Sequence, residues 1–479
     1  MMTIQDLVAL LPLLILSASI VTVMLVAAFW RNHRLAFLLT FIGLSLSLIS
    51  LPLASRPLPL LLTSLLIVDG FAIFYIALIL ITSLVVLVIS FSYLDKVPGK
   101  KEEYYILILL ATLGACTLVL SDHFISFFLG LETLSIALYA MIAYTRFQRH
   151  RIEAAIKYLI LAAAASAFLL FGMALIYIVF GTMQFSQMSS PADFPSPEQI
   201  LLTIGVSMLL VGIGFKLALV PFHMWVPDVY QGAPAPVTAF IATVSKGGVF
   251  GLFLRLFTHI TIENGSGLWN VIALIAIASM LIGNVLALSQ NNVKRILAYS
   301  SIAHFGYLLV AFLAGSLLAS SAMTFYLVVY IFTSLVAFGV ISVLSVPQNE
   351  FEDLQTYYGL FRQRPAYAVL LTLSLLSLAS LPPTGGLVGK ILLAAAGVQA
   401  SLWLPLAALV IGSVIGVFYY LRIVIAMFRQ PEAEGPVSVP FINRAANLTL
   451  TLLSIVLVIL GVYPAPLLRW IEGVVTYLR

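Results

Sequence analysis

Apolar residues run in long unbroken stretches along this chain, each closed by a short polar or Gly/Pro-rich cluster. A stretch of about 20 apolar residues crosses a bilayer as a helix. About 14 such crossings are predicted by that length rule. They fall over 7–29, 35–53, 69–94, 104–120, 123–145, 154–180, 201–224, 236–260, 269–289, 293–315, 321–345, 366–398, 401–428 and 446–468. The runs are continuous, without the two-residue alternation of a barrel strand. The stretches at 69–94 and 366–398 exceed one crossing, which predicts a tilted or broken helix in each. The first run reaches Phe29 without the basic leader of a signal peptide, so it is read as a permanent span. The expected fold class is an all-α polytopic membrane protein.

Composition agrees. The chain has 479 residues, 62% of them hydrophobic and 9% charged, whereas soluble domains carry about 25% charged residues. A water-soluble fold and a disordered chain are both excluded. Cys116 is the single cysteine. That excludes disulfides, CxxC redox motifs, zinc ribbons and cysteine-held iron–sulfur clusters. The six histidines (His33, His123, His150, His223, His259 and His304) make no HExxH pair, and no site for a bound redox metal is expected. The net charge of +5 does not point to nucleic acid, because the basic residues sit in short loops.

Those loops fix the sides. Of 23 Lys and Arg, 15 fall in alternate loops, in groups such as Arg31/Arg34, Lys96/Lys100/Lys101, Arg146/Arg149/Arg151 and Lys294/Arg295. The opposite side holds only Arg56, Arg469 and Arg479. By the positive-inside rule the basic loops are cytoplasmic and both termini lie outside.

Five basic residues remain inside spans: Lys157, Lys216, Lys246, Arg255 and Lys390. A charge at the bilayer centre costs about 2.5–3.5 kcal/mol even on the lenient insertion scale, so such groups demand an explanation. Lys216, Lys246 and Lys390 lie deep, as do Glu132 and His304. Arg255 and Lys157 lie nearer span ends. Snorkelling explains Arg255, while Lys157 is open to snorkelling or a place on a pathway. Lys294 sits beside Arg295 at a cytoplasmic edge, where a topology marker and a carrier are both open readings.

The spans with Lys216 and Lys390 also hold helix breakers, Pro221 in one and Pro382, Pro383, Gly385 and Gly386 in the other. Breaks in mid-membrane are tolerated where backbone lines a cavity. These spans are five apart, as are those of Glu132 and His304. The spacing predicts two inverted five-helix repeats with paired broken helices. The expected division is three helices over 1–103, a first repeat over 104–260, a second over 269–428 and a last helix over 446–479. A row of buried Glu, Lys and His bridged by water could carry protons across a membrane, provided that their charge states respond to their neighbours. No energy source is visible. Gly385-Gly386-Leu387-Val388-Gly389-Lys390-Ile391 fails the P-loop pattern, with Thr384 and Ile391 where Gly and Ser/Thr are required. ATP hydrolysis and dinucleotide binding are therefore excluded as drivers within this chain.

One stretch is specific to a family. Gly214-Phe-Lys216-Leu-Ala-Leu-Val-Pro221-Phe-His223-Met-Trp225-Val-Pro227-Asp228-Val-Tyr230-Gln-Gly232-Ala-Pro234-Ala-Pro236-Val leads through Thr238 to Ser245-Lys246. It resembles the signature of the proton-conducting antiporter-like subunits of respiratory complex I and of the Mrp cation/proton antiporters. Phe128-Leu-Gly130-Leu-Glu132 and the segment from Asn292-Val-Lys294-Arg295 to His304-Phe-Gly306-Tyr307 match as well. The resemblance covers nearly the whole chain. Lys390, and the chain's end near 479, set it apart from the M and L branches, which have a glutamate at that place and a long lateral helix, respectively.

The resemblance implies roles. Glu132 and Lys216 would be the coupled pair of a first half-channel, Lys246 the link between halves, His304 and Lys294 the continuing axis, and Lys390 the outward carrier. It implies no cofactor in this chain, with NADH, FMN, iron–sulfur clusters and quinone in partner subunits. Neighbouring partners would include an antiporter-like M subunit and a small K subunit. The alternative is an Mrp-type sodium/proton antiporter subunit.

Overall fold

The computed structural model describes residues 3–56, 58–145, 148–188, 195–260, 262–348, 350–430 and 444–478. Arg146 and Arg479, counted among the side markers, lie outside the described residues.

Helices dominate. In chain order they are α1 (Ile4–Ala9), α2 (Leu11–Phe29), α3 (His33–Ala54), α4 (Gly70–Asp95), α5 (Glu102–Leu120), α6 (Phe124–Ile142), α7 (Arg149–Phe180), α8 (Ser196–Leu217), α9 (Trp225–Gly232), α10 (Ala235–Phe240) and α11 (Lys246–His259). The rest are α12 (Gly267–Leu288), α13 (Val293–Ala314), α14 (Leu317–Leu344), α15 (Leu360–Gln363), α16 (Pro365–Leu378), α17 (Gly385–Gln399), α18 (Trp403–Phe428), α19 (Arg444–Val462) and α20 (Ala465–Val475). Among the described residues, 13 helices are long and apolar enough to cross a membrane. The shorter apolar pair α16 and α17 flanks a break.

Polar residues at the ends set the boundaries. Asn32 accepts from the Arg34 and Leu35 amides, Asp69 from Ala72 and Asn292 from Arg295, each satisfying first-turn donors that have no partner within the helix. Several expectations shift. The 69–94 run is one continuous helix, α4. The last span ends at Val462, and a separate helix, α20, follows Pro464. A short antiparallel hairpin, β1 (Leu60–Leu62) with β2 (Leu66–Val68), had no sequence signal.

Residues 235–257 are buried throughout, and α14 nearly so. By contrast α2, α7 and α18 present Leu14, Leu25, Ile160, Phe171, Val410 and Phe418 outward. Apolar outer faces around a buried polar interior are what a bilayer solvent selects. Small residues bring helices together. A Cβ on Gly114 would stand 2.6 Å from the Leu134 nitrogen, between α5 and α6, and one on Gly172 would stand 2.6 Å from the Gly205 oxygen, between α7 and α8.

Two helices break in the interior, and the breaks resemble each other. After α8, Ala218 takes a left-handed conformation (φ 66°), and the Leu219 amide returns to the Gly214 carbonyl at 2.8 Å. After α16, Ser380 does the same (φ 59°), with the Leu381 amide on the Leu376 carbonyl at 2.9 Å. Each break then holds a cis X–Pro bond, Val220–Pro221 and Pro382–Pro383. The freed backbone groups find partners elsewhere, as an interior helix end requires. The Trp225 indole donates to the Phe215 carbonyl at 2.9 Å, and the Val220 amide donates to Ser279 Oγ at 3.0 Å. The run expected over 201–224 therefore ends as a helix at Leu217 and resumes as α9.

Candidate proton pathway

Lys216 stands in the last turn of α8, directly before the first break. Its ammonium donates to Ser135 Oγ at 2.7 Å and to the Tyr158 hydroxyl at 3.5 Å, and lies 5.1 Å from the Tyr158 ring centre. Glu132 is one turn before Ser135 on α6, so both present to the same face. Glu132 accepts from Ser166 Oγ at 2.7 Å. The expected coupled pair is thus not a contact pair: Lys216 meets the α6 face through Ser135, and Glu132 is held by a hydroxyl of α7.

Lys246 follows a π-helical turn, Ile241–Ser245, between α10 and α11. Such turns widen the helix locally and re-aim side chains, often at functional sites. The Lys246 ammonium donates to Ser301 Oγ on α13 and lies 4.6 Å from the Phe305 ring centre. Tyr330 of α14 donates to the same Ser301 oxygen at 2.7 Å. One turn on, His304 Nδ1 is 2.6 Å from the Tyr326 hydroxyl, and Nε2 is 3.0 Å from that of Tyr420. Ser300 also bonds Tyr420.

Beyond His304, Tyr419 donates to Asn284 at 2.9 Å, and Asn284 donates to Tyr307 at 2.9 Å. Lys390, in the second turn of α17, lies 4.5 Å from the Tyr307 ring centre. It also lines an open groove of about 370 Å³ with Ser380, Leu381 and Ser413, beside the second break. Lys216 thus precedes its break and Lys390 follows its own. Pro221, Pro382 and Pro383 all lie in the breaks, between the helical segments.

The other ionisable residues are placed differently. Lys294 is fully buried, and its ammonium bonds Glu350 Oε2 at 2.6 Å and the carbonyls of Gln231 and Ala233 at 2.8 Å each. Glu352 stands 3.6 Å away. The second Glu350 oxygen accepts from Arg151 at 3.0 Å, Tyr93 at 2.5 Å and the Ala235 amide at 3.3 Å. Lys157 is half exposed and pairs with Glu153 at 2.8 Å and Asp228 at 3.0 Å. Burial pushes the Asp228 carboxyl up, but hydrogen bonds from Lys157 and Arg295 outweigh it and hold the group below the usual range. Arg255 does not snorkel: it forms a buried two-pronged pair with Asp69 at 2.8 and 2.9 Å. Glu350, Asp69 and the serines and tyrosines of the pathway were missed from sequence. Ser135, Ser300 and Ser301 carried a signal, lying three or four residues from Glu132 or His304 on a shared helix face. Among the described residues no cluster of His, Cys, Asp and Glu is placed to hold a metal ion.

The chain therefore brings titratable and hydroxyl side chains together through the interior of a membrane helix bundle, and comparison with known proteins gives that class its family. The family described as "NADH:quinone oxidoreductase/Mrp antiporter, TM" matches residues 121–416, and the chain belongs to it. A curated relative, NADH-quinone oxidoreductase subunit N of Ectopseudomonas mendocina (strain ymp), is 48% identical over 98% of this chain and 97% of its own length. A chain of respiratory complex I from Thermus thermophilus with bound aureothin shares the fold with TM-score 0.83 and 33% identity, over 96% of this chain and 98% of that one. A chain of the Mrp complex from Dietzia sp. DQ12-45-1b has TM-score 0.87 at 22% identity, over 100% and 98% of the two chains. At that identity the likeness is one of fold.

Proposed function

We propose that this chain is the proton-translocating membrane subunit of an NADH:quinone oxidoreductase. Electron transfer from NADH to quinone, through FMN and iron–sulfur clusters, takes place in partner subunits. This chain moves protons across a bacterial inner membrane through Glu132, Lys216, Lys246, His304 and Lys390. The observation that carries the reading is the composition of the buried row: three lysines and a histidine lined by serine, tyrosine and asparagine side chains, with no ion pair on Lys216, Lys246 or Lys390 among the described residues.

That composition suits proton transfer. A hydroxyl gives one proton and accepts another, so it passes charge without holding it. A lysine with hydroxyl and aromatic neighbours can lose its proton without stranding an anion. Carrying one charge against 100 mV costs about 2.3 kcal/mol, which redox chemistry elsewhere would supply. The reading extends to two inverted repeats, over 104–260 and 269–428, supported by the two similar breaks. It also extends to outside termini, and to an M-type and a small K-type subunit as neighbours. An Mrp-type sodium/proton antiporter subunit is the second reading, supported by the shared family model and a shared fold but by no relative of comparable identity.

Gentle extraction of the tagged chain separates the two. Co-purification with NADH-oxidising flavoprotein and iron–sulfur subunits is the expected result. Isolation with small antiporter proteins and no redox chromophore would overturn it.

A further inference from the structure

A gap remains between the first and second lysines. Lys216 ends at Ser135 and Tyr158, whereas Lys246 ends at Ser301. Tyr230, on α9, is fully buried, with its ring centre 5.8 Å from the Lys246 nitrogen. Its hydroxyl closes no hydrogen bond of ordinary geometry, yet it lies beside Ser301, with Tyr330 and Tyr158 close by. A buried hydroxyl without a partner costs about 1–3 kcal/mol. It persists where a function or a bound water explains it.

The surroundings hold this phenol in place. Lys294 grips the carbonyls of Gln231 and Ala233, on either side of Gly232 and directly after Tyr230. The Tyr230 carbonyl accepts from Thr238 at 3.1 Å, and the ring packs edge-on against Phe338 at 5.7 Å. The ion cluster at the basic-loop end therefore fixes the turn from which Tyr230 projects.

We propose that Tyr230 carries the proton between the Lys216 and Lys246 sites, through a water bound at its hydroxyl. The step rests on the translocation role proposed above. In it an N–H bond of the Lys216 ammonium breaks and an N–H bond forms on the neutral Lys246 amine. Each intervening water and hydroxyl gives one proton and takes one, so Tyr230 ends as a neutral phenol and net charge is conserved.

The test uses the complete complex in proteoliposomes, carrying Tyr230→Phe or, in parallel, Lys216→Ala. Tyr230→Phe should leave subunit content unchanged and lower NADH-driven proton uptake about ten-fold. That is less than the roughly hundred-fold that loss of a positioned proton donor costs a chemical step, because a second water can take the vacated place. The solvent deuterium isotope effect on turnover should rise, which a purely structural defect would not cause. Normal uptake in Tyr230→Phe with a defective Lys216→Ala overturns the Tyr230 step and leaves the translocation role standing. Normal uptake in both overturns the role itself. A map of the native complex gives a second arm that needs no variant. Ordered water shared between the Tyr230 hydroxyl and Tyr158 or Ser301 is expected, and a dry hydroxyl packed only on carbon contradicts the proposal.

Discussion

Lys294 and Lys246 are both fully buried amines on neighbouring helices, yet they live in opposite surroundings. Every proton of Lys294 is taken, by Glu350 and by two backbone carbonyls, and Glu350 in turn is shared with Arg151 and Tyr93. Lys246 has a serine oxygen and two aromatic faces. The difference teaches what burial alone does not. An ammonium saturated by a carboxylate and carbonyls ties together the elements that carry its partners. An ammonium among hydroxyls and rings can change its charge at little cost to its neighbours. By that criterion Lys216 and Lys390 belong with Lys246. Lys294, Arg151 and Arg255 belong to the clamps that hold the bundle in shape.

The contrast predicts separate consequences for stability and for pumping. The largest effect should come from Glu350→Gln, which leaves Arg151 and Lys294 short of a counter-charge. Breaking a buried pair costs about 3–5 kcal/mol, visible as a lowered thermal midpoint and less assembled complex. Asp69→Asn should behave alike, whereas replacing Asp69 and Arg255 together by apolar residues of similar volume should recover most of the loss. If Glu350→Gln is as stable as the native chain, the clamp half of the comparison fails.

Next in size is Lys216→Ala. Proton uptake and coupled quinone reduction should fall about a hundred-fold, equivalent to about 2.7 kcal/mol, with a thermal midpoint near that of the native complex. Ser135 and Tyr158 need no cation to stay satisfied, because Ser135 also bonds the Leu131 carbonyl. Loss of folding with unchanged specific activity would move Lys216 to the other class.

The smallest effect belongs to Lys157→Ala. Its pairs with Glu153 and Asp228 are half exposed, and such pairs contribute about 0–1 kcal/mol. Asp228 is held below its ordinary range, so its contribution is present above the unfolded pKa of about 3.9. It is lost only as pH falls through the lower folded value. Pumping profiles between about pH 6 and 9 should therefore match those of the native chain. A displaced profile would put Lys157 on the pathway.

The membrane helices were legible because a crossing needs a long apolar run, and mid-span charge stands out against it. The breaks at Pro221 and at Pro382-Pro383 were legible because a proline within a span removes a helix hydrogen bond and clashes with the preceding turn. Glu350 was not, since an acid in a polar stretch reads as a solvated side chain. It is buried only because Arg151, 199 residues away, and Lys294 converge on it. Asp69 read as a boundary residue, and Arg255 read as snorkelling because its partner is 186 residues distant. The tyrosines of the pathway look in sequence like ordinary packing. The π turn before Lys246 has no signature in a segment buried on every side. Glu132 and Lys216 stood out as mid-span charges, but the bond from Lys216 to Ser135 emerges only once α6 and α8 meet.

The central claim is that buried lysines without carboxylate partners carry the protons. Protons translocated per NADH oxidised, measured on the intact complex with Lys246→Met, test it most directly. Methionine keeps the length and apolar packing of the side chain and removes its proton. The account predicts a native amount of assembled complex with its proton yield sharply reduced. A native proton yield from that variant would contradict it.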